Sequence, residues 1–97
     1  MKLNEVLSKV KSADIIGDAS VDITGVNIDS RRIQPGHLFV AVRGTQVDGH
    51  SFIPKAIEQG AVAVLCEEVP AERSEGVTYV KVASTEEAVG PVATMFY

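Results

Sequence analysis

Residues Leu38 to Cys66 read LFVAVRGTQVDGHSFIPKAIEQGAVAVLC, and this stretch decides the fold. Leu38-Phe39-Val40-Ala41-Val42 is continuously apolar, the pattern of a strand covered on both faces rather than one with a solvent side. Ser51 then offers an N-cap and Pro54 falls in the first helical turn, where its missing N–H does no harm. Ile53, Ala56 and Ile57 share one helical face, and Gly60 stands where a helix ends. Ala61 to Cys66 is a second apolar run of strand length. Strand, loop, helix and strand over about residues 38–66 predict a βαβ unit with parallel strands.

Outward from this unit the periodicities continue. Val77 to Val82 reads as a further strand. Ser84-Thr85-Glu86-Glu87 is a capping-box pattern opening a last helix with Ala88, Val92 and Phe96 on one face. Gly90-Pro91 inside that helix predicts a kink or a late start. Toward the N-terminus, Leu3, Val6, Leu7 and Val10 recur at helical spacing, giving a short docking helix. Val21 and Ile23, then Val26 and Ile28, alternate with polar residues across Gly25, as two short strands or one bulged strand. The expected fold class is α/β, a small mixed β-sheet with flanking helices in a single domain over residues 1–97.

Two polar segments bracket the Leu38 to Val42 strand. Asp29, Ser30 and Arg31 follow the Val26 to Ile28 strand, and Gly44-Thr45-Gln46-Val47-Asp48-Gly49-His50 follows Val42. The second loop lies at the carboxyl end of a parallel strand, the edge where open α/β sheets bind ligands. Gly44 and Gly49 permit close backbone approach, and the amides near Thr45, Gln46 and Val47, with the helix start at Ser51, are candidate donors to phosphate oxygens. A plain connecting loop is the alternative, since no GxxxxGK[ST] sequence occurs. Ser30 can donate and accept toward a base or sugar edge. Alternatively, Asp29 and Ser30 cap a turn while Arg31 or Arg32 pairs with a carboxylate.

Composition narrows the function classes. Ninety-seven residues with 45% apolar and 23% charged side chains make one soluble domain with a modest core. The net charge of −4 and dispersed basic residues give no footprint for nucleic acid or an anionic membrane. No run of about 18 apolar residues or signal-peptide core is present, so a cytoplasmic location is expected. The single Cys66 sits in an apolar run, where an inert buried thiol is expected. His37 and His50 have no partner at metal-ligand spacing; His37 is expected in an exposed turn and His50 as a hydrogen-bonding brace for its loop. Neither a catalytic residue nor a metal ligand is assigned.

Taken together, Asp29-Ser30-Arg31, Pro35-Gly36-His37-Leu38-Phe39-Val40-Ala41-Val42-Arg43-Gly44, Asp48-Gly49-His50-Ser51-Phe52-Ile53, Ala56-Ile57 and Gly60-Ala61 resemble the N-terminal domain of the Mur ligases, which extend the peptidoglycan stem peptide. The resemblance is greatest to the branch that adds the third residue, with the pentapeptide-forming branch as the alternative and a non-catalytic interaction module as a third reading. It implies a domain that binds the UDP part of UDP-MurNAc-dipeptide in a bacterial, monomeric ligase. Ile28 and Ser30 would contact the uridine, and Thr45, Gln46 and Val47 the nucleotide and its diphosphate. Asp29, Arg31, Gly44, Asp48, Gly49 and His50 would support them. Other members carry His at position 45 and a small residue at 47, so backbone contacts transfer more safely than side-chain ones. ATP and Mg2+ are implied for the full-length enzyme but not for this stretch.

Overall fold

A computed structural model of the chain describes residues 1–10, 13–42 and 48–95. The elements run α1 (Leu3–Val6), β1 (Asp14–Ile16), β2 (Gly25–Asn27), a 3-10 turn (Ser30–Arg32), β3 (His37–Val40), a second 3-10 turn (Gly49–Phe52), α2 (Ile53–Glu58), β4 (Ala63–Cys66), β5 (Thr78–Lys81) and α3 (Thr85–Thr94). The strands form one five-stranded sheet in the order β1-β5-β4-β3-β2. β2 to β5 are mutually parallel, and only β1 runs antiparallel, against β5. The expected mixed sheet is therefore present, with the βαβ unit at its centre.

The sequence of β3 follows from that central place. Leu38 and Val40 point into a core shared with Leu3, Val6 and Ile23 on one side and with Ala88 and Val92 of α3. Phe39 and the following Ala41 point into a second core with Ile33, Ile53, Ala56, Val64 and Tyr79, under α2. With both faces covered, the positions from Leu38 to Ala41 leave no room for a polar side chain, so the period-2 signal disappears there. β4 shares this character, and all four of its residues are buried.

Several expectations are corrected. β1 was not anticipated, because a three-residue edge strand with two exposed positions leaves no periodicity to read. The alternation at Val21 and Ile23 belongs to no sheet strand. It records docking onto the start of the chain: Leu3 N–H donates to the Val21 carbonyl at 2.9 Å and Ile23 N–H to the Met1 carbonyl at 2.7 Å, beside an isolated Lys2–Asp22 bridge. Gly25 is the first residue of β2 rather than a bulge. His37 begins β3 half-buried, its Nδ1 accepting from the Gln34 amide, instead of occupying an exposed turn.

The helix ends also differ in detail. Asp48, not Ser51, caps the turn that leads into α2; its carboxylate accepts from the His50 amide at 3.0 Å. The Ser51 hydroxyl instead donates back to the Asp48 carbonyl at 2.8 Å. Gly60 ends this helix with φ +114°, and a Cβ there would lie 2.7 Å from Pro35 Cα. α3 starts on time at Thr85 and runs through Pro91. The Ser84 hydroxyl caps the Glu87 amide, and buried Ala88 and Val92 hold the helix down on both sides of the proline. Phe96 lies outside the described residues.

Cys66 is fully buried and its thiol donates to the Val80 carbonyl at 3.6 Å. Burial pushes its pKa up to about 11, so the unreactive thiol form prevails at neutral pH. A thiol-specific reagent at pH 7 is expected to leave the folded chain unlabelled and to label it rapidly in denaturant. Equal rates in both conditions would show that the β4 face opens readily.

Candidate functional site

β2 delivers the chain to the carboxyl edge of the parallel strands, and a nested pair of turns follows. The Asn27 side chain accepts from the Asp29 amide at 3.1 Å, and Asp29 Oδ1 accepts from the Arg31 amide at 2.9 Å. The Arg31 guanidinium folds back onto the same carboxylate, with Nε and Nη2 at 3.1 and 3.0 Å. These hydrogen bonds from Arg31 hold the Asp29 carboxyl below the usual carboxylate range. With the Arg31 side chain 84% exposed, the ion pair shapes the turn more than it stabilises the fold. For Asp29 and Arg31, the turn-capping alternative is the observed one.

Ser30 behaves differently. It is only 6% exposed. It lines a cavity of about 540 Å³, within the size range of small-molecule sites. Ile28, Asp29 and Arg31 share that wall, and Val42, Gly49 and Phe52 form the opposite one. Described residues of both polar segments, Asp29 to Arg31 and Gly49, thus line one hollow. Ile28 and Phe52 are 58% and 41% exposed, two of the four large apolar side chains left open to solvent among the described residues. Phe52 was missed as a site residue from sequence. An aromatic at the end of a polar loop ahead of a helix carries no periodic signal that separates it from core.

The second wall is built by the 3-10 turn. Gly49 N–H donates to the Val42 carbonyl at 2.9 Å, bringing the returning chain against the end of β3. Ser51 N–H is bound to the Asp48 carbonyl at 3.1 Å and His50 N–H to the Asp48 carboxylate at 3.0 Å. The helix start proposed as a phosphate donor is therefore corrected, since these amides are already engaged inside the turn. Gly44, Thr45, Gln46 and Val47, the other candidate donors, lie outside the described residues. His50 braces the loop as expected: its Nδ1 sits 2.7 Å from Asp48 Oδ1, while its Nε2 accepts from the Glu67 and Glu68 amides at 2.9 and 3.2 Å.

Among the described residues no group of three or more His, Cys, Asp or Glu side chains is placed to hold a metal ion, and no helix is long and apolar enough to cross a membrane. A second hollow of about 370 Å³, between Lys9 and the start of α3, gathers none of the candidate site residues.

With this geometry in hand, known proteins place the chain. The model of the family described as "Mur ligase family, catalytic domain" matches residues 22–97. The chain belongs to the Mur ligase family. Along its whole length this Mur ligase chain is 57% identical to a protein of Bacteroides fragilis and 56% identical to one of Phocaeicola vulgatus, each named UDP-N-acetylmuramoyl-L-alanyl-D-glutamate--2,6-diaminopimelate ligase. A Clostridioides difficile protein of the same name is 38% identical over 97 residues. The chain spans 20% of the length of each of these relatives. Among solved structures, MurF from Acinetobacter baumannii superposes with a TM-score of 0.76 over 93% of this chain and 19% of its own, at 19% identity, a likeness of fold alone. MurF ligase from Thermotoga maritima in complex with ADP gives a TM-score of 0.62 at 28% identity, over 82% of this chain and 18% of its own.

Proposed function

We propose that residues 1–97 are the substrate-anchoring domain of a ligase that joins 2,6-diaminopimelate to UDP-N-acetylmuramoyl-L-alanyl-D-glutamate, and that the Ile28–Phe52 cavity receives the UDP end. The observation that carries this reading is that the nearly buried Ser30 lines a cavity rimmed by two exposed apolar side chains, in a family whose relatives act on a UDP-linked substrate by name. Ile28 and Phe52 supply apolar surface for a flat base, and the Ser30 hydroxyl supplies a donor or acceptor for its polar edge or for the ribose. Thr45, Gln46 and Val47, between the two walls in sequence, are proposed to meet the nucleotide and diphosphate. Asp29, Arg31, Asp48 and His50 hold those walls rather than touch the ligand.

The name shared by relatives 56–57% identical over the whole chain favours the diaminopimelate-adding branch over the pentapeptide-forming one, whose T. maritima member is 28% identical over 82% of it. The ATP and Mg2+ that the family implies do not fit the residues described. The chain has no GxxxxGK[ST] loop, and no acidic cluster gathers among the described residues. Ligation is therefore assigned to the part of the relatives that this chain does not span, and the domain's contribution is to hold one end of the substrate in place. A bacterial cytoplasmic setting follows from that substrate.

Titrating the chain with UDP and following backbone amide shifts tests the reading. Perturbations are expected at Ile28, Ser30, Gly49 and Phe52, with weak affinity because the remainder of the substrate lacks its contacts. Ser30→Ala is expected to weaken binding by up to about tenfold, the worth of one neutral hydrogen bond, with an unchanged melting temperature. No shift near Ser30 or Gln46 at millimolar UDP would overturn it. A large loss of melting temperature in Ser30→Ala would favour a purely turn-forming serine.

A further inference from the structure

We infer that His50 is a positioning residue of this cavity, fixing its Gly49–Phe52 wall to the connection that follows β4 along the same sheet edge. This rests on the reading of the cavity as the nucleotide site. The His50 side chain is 12% exposed, and both ring nitrogens are engaged. Because Nε2 accepts from two backbone amides, at 2.9 Å from Glu67 and 3.2 Å from Glu68, it carries no proton. The proton therefore sits on Nδ1 and is donated to Asp48 Oδ1, 2.7 Å away. Only one tautomer satisfies all of these partners.

The bracing continues beyond the ring. Glu67 follows β4, and its carboxylate accepts from both the amide and the hydroxyl of Thr85, each at 3.0 Å. Thr85 is fully buried at the start of α3. Three connections that leave the sheet at its carboxyl edge, after β3, β4 and β5, are thus joined in sequence by His50, Glu67 and Thr85. Gly49, immediately before the histidine, and Phe52, two residues after it, line the cavity. Without the ring's bond to the β4 exit, the turn would keep its Asp48 cap and its Gly49–Val42 hydrogen bond but lose this tie across the sheet edge, and the Phe52 wall would be held less firmly against Ile28 and Ser30.

UDP titrations of the parent chain, His50→Ala, His50→Gln and His50→Asn, with amide spectra of each, decide the point. His50→Ala is expected to bind UDP about tenfold or more weakly, the scale of the two lost backbone hydrogen bonds, while keeping a dispersed spectrum. Gln places a carbonyl oxygen where Nε2 stood and can accept from the Glu67 amide, so His50→Gln is expected to recover most of the affinity. Asn is one methylene too short to reach and is expected to behave like Ala. A purely local structural role would not separate Gln from Asn in this way, and that comparison also serves if His50→Ala fails to fold. In the parent chain, the ring nitrogen shifts are expected to report a protonated Nδ1 and a bare Nε2. Equal UDP affinity for parent and His50→Ala would overturn the positioning role alone, whereas no UDP binding by the parent would overturn the nucleotide reading with it.

Discussion

A Gly49→Ala variant is expected to lose most UDP binding and to melt at a lower temperature than the parent chain. A Cβ at this position would stand 2.7 Å from the Val42 carbonyl oxygen, 2.8 Å from the Val42 nitrogen and 3.1 Å from the Ala41 carbonyl carbon. All three are backbone atoms at the end of β3, so no side-chain rotation relieves the overlap. The turn has to move outward, and the Gly49–Val42 hydrogen bond of 2.9 Å goes with it. Overpacking of this kind costs about 1–3 kcal/mol. In a domain of this size each kcal/mol is worth roughly 4–8 °C of melting temperature. The loss of binding should exceed the loss of stability in consequence, because the displaced turn carries one whole wall of the cavity. Calorimetry and a UDP titration check both parts. A variant with the parent's melting temperature and affinity would show that the turn does not rest against β3 as described.

Phe39→Ala should produce the largest loss of stability in the chain. The ring is fully buried on the α2 side of β3, packed in a core with Ile53, Ala56, Val64 and Tyr79. Its removal forfeits the transfer free energy of a large side chain and leaves a void that the paired strands on either side cannot close. Such truncations cost about 3–5 kcal/mol. Against a total stability of about 5–15 kcal/mol for an ordinary domain, that is a large fraction. Urea denaturation is expected to show the midpoint falling by more than about 1 M, given a slope of roughly 1–3 kcal/mol per molar for small proteins. A shift of a few tenths of a molar would mean that the α2 layer repacks around the missing ring, contrary to a rigidly filled second core.

The parts of this molecule that were legible from sequence are those in which one physical demand dominates. β3 and β4 sit in the middle of the sheet and are buried on both faces, so their apolar runs are unambiguous. Gly60 is required by its left-handed backbone, and Ser84 by the open amides of α3. β1 was not legible, because an exposed three-residue edge strand leaves its side chains nearly unconstrained. Val21 and Ile23 were misread, because docking against another backbone segment imposes the same alternation as sheet pairing.

The site divides in the same way. That the connections after β2 and β3 meet at one edge followed from topology, since parallel strands deliver their connections to the same side. How each polar group there is used did not. Asp29 and Arg31 consume each other while Ser30 sits nearly buried against the cavity, and only three-dimensional placement separates them. Phe52 needed the structure for the same reason. His50 was legible as a brace, but its partners at Glu67 and Glu68 lie on a connection far along the chain.

The antiparallel edge strand has a consequence for the order in which the protein assembles. β2, β3, β4 and β5 each pair with a neighbour in sequence, so this part of the sheet can grow as the chain emerges, one connection at a time. β1 pairs only with β5, matching Ile15 to Val80, and so waits for a partner made near the other end. Closing that long loop carries the greatest entropic cost, for only three residue pairs. Synthesis and folding therefore run in opposite directions at this edge: among the strands, the first to be translated is the last to find its place.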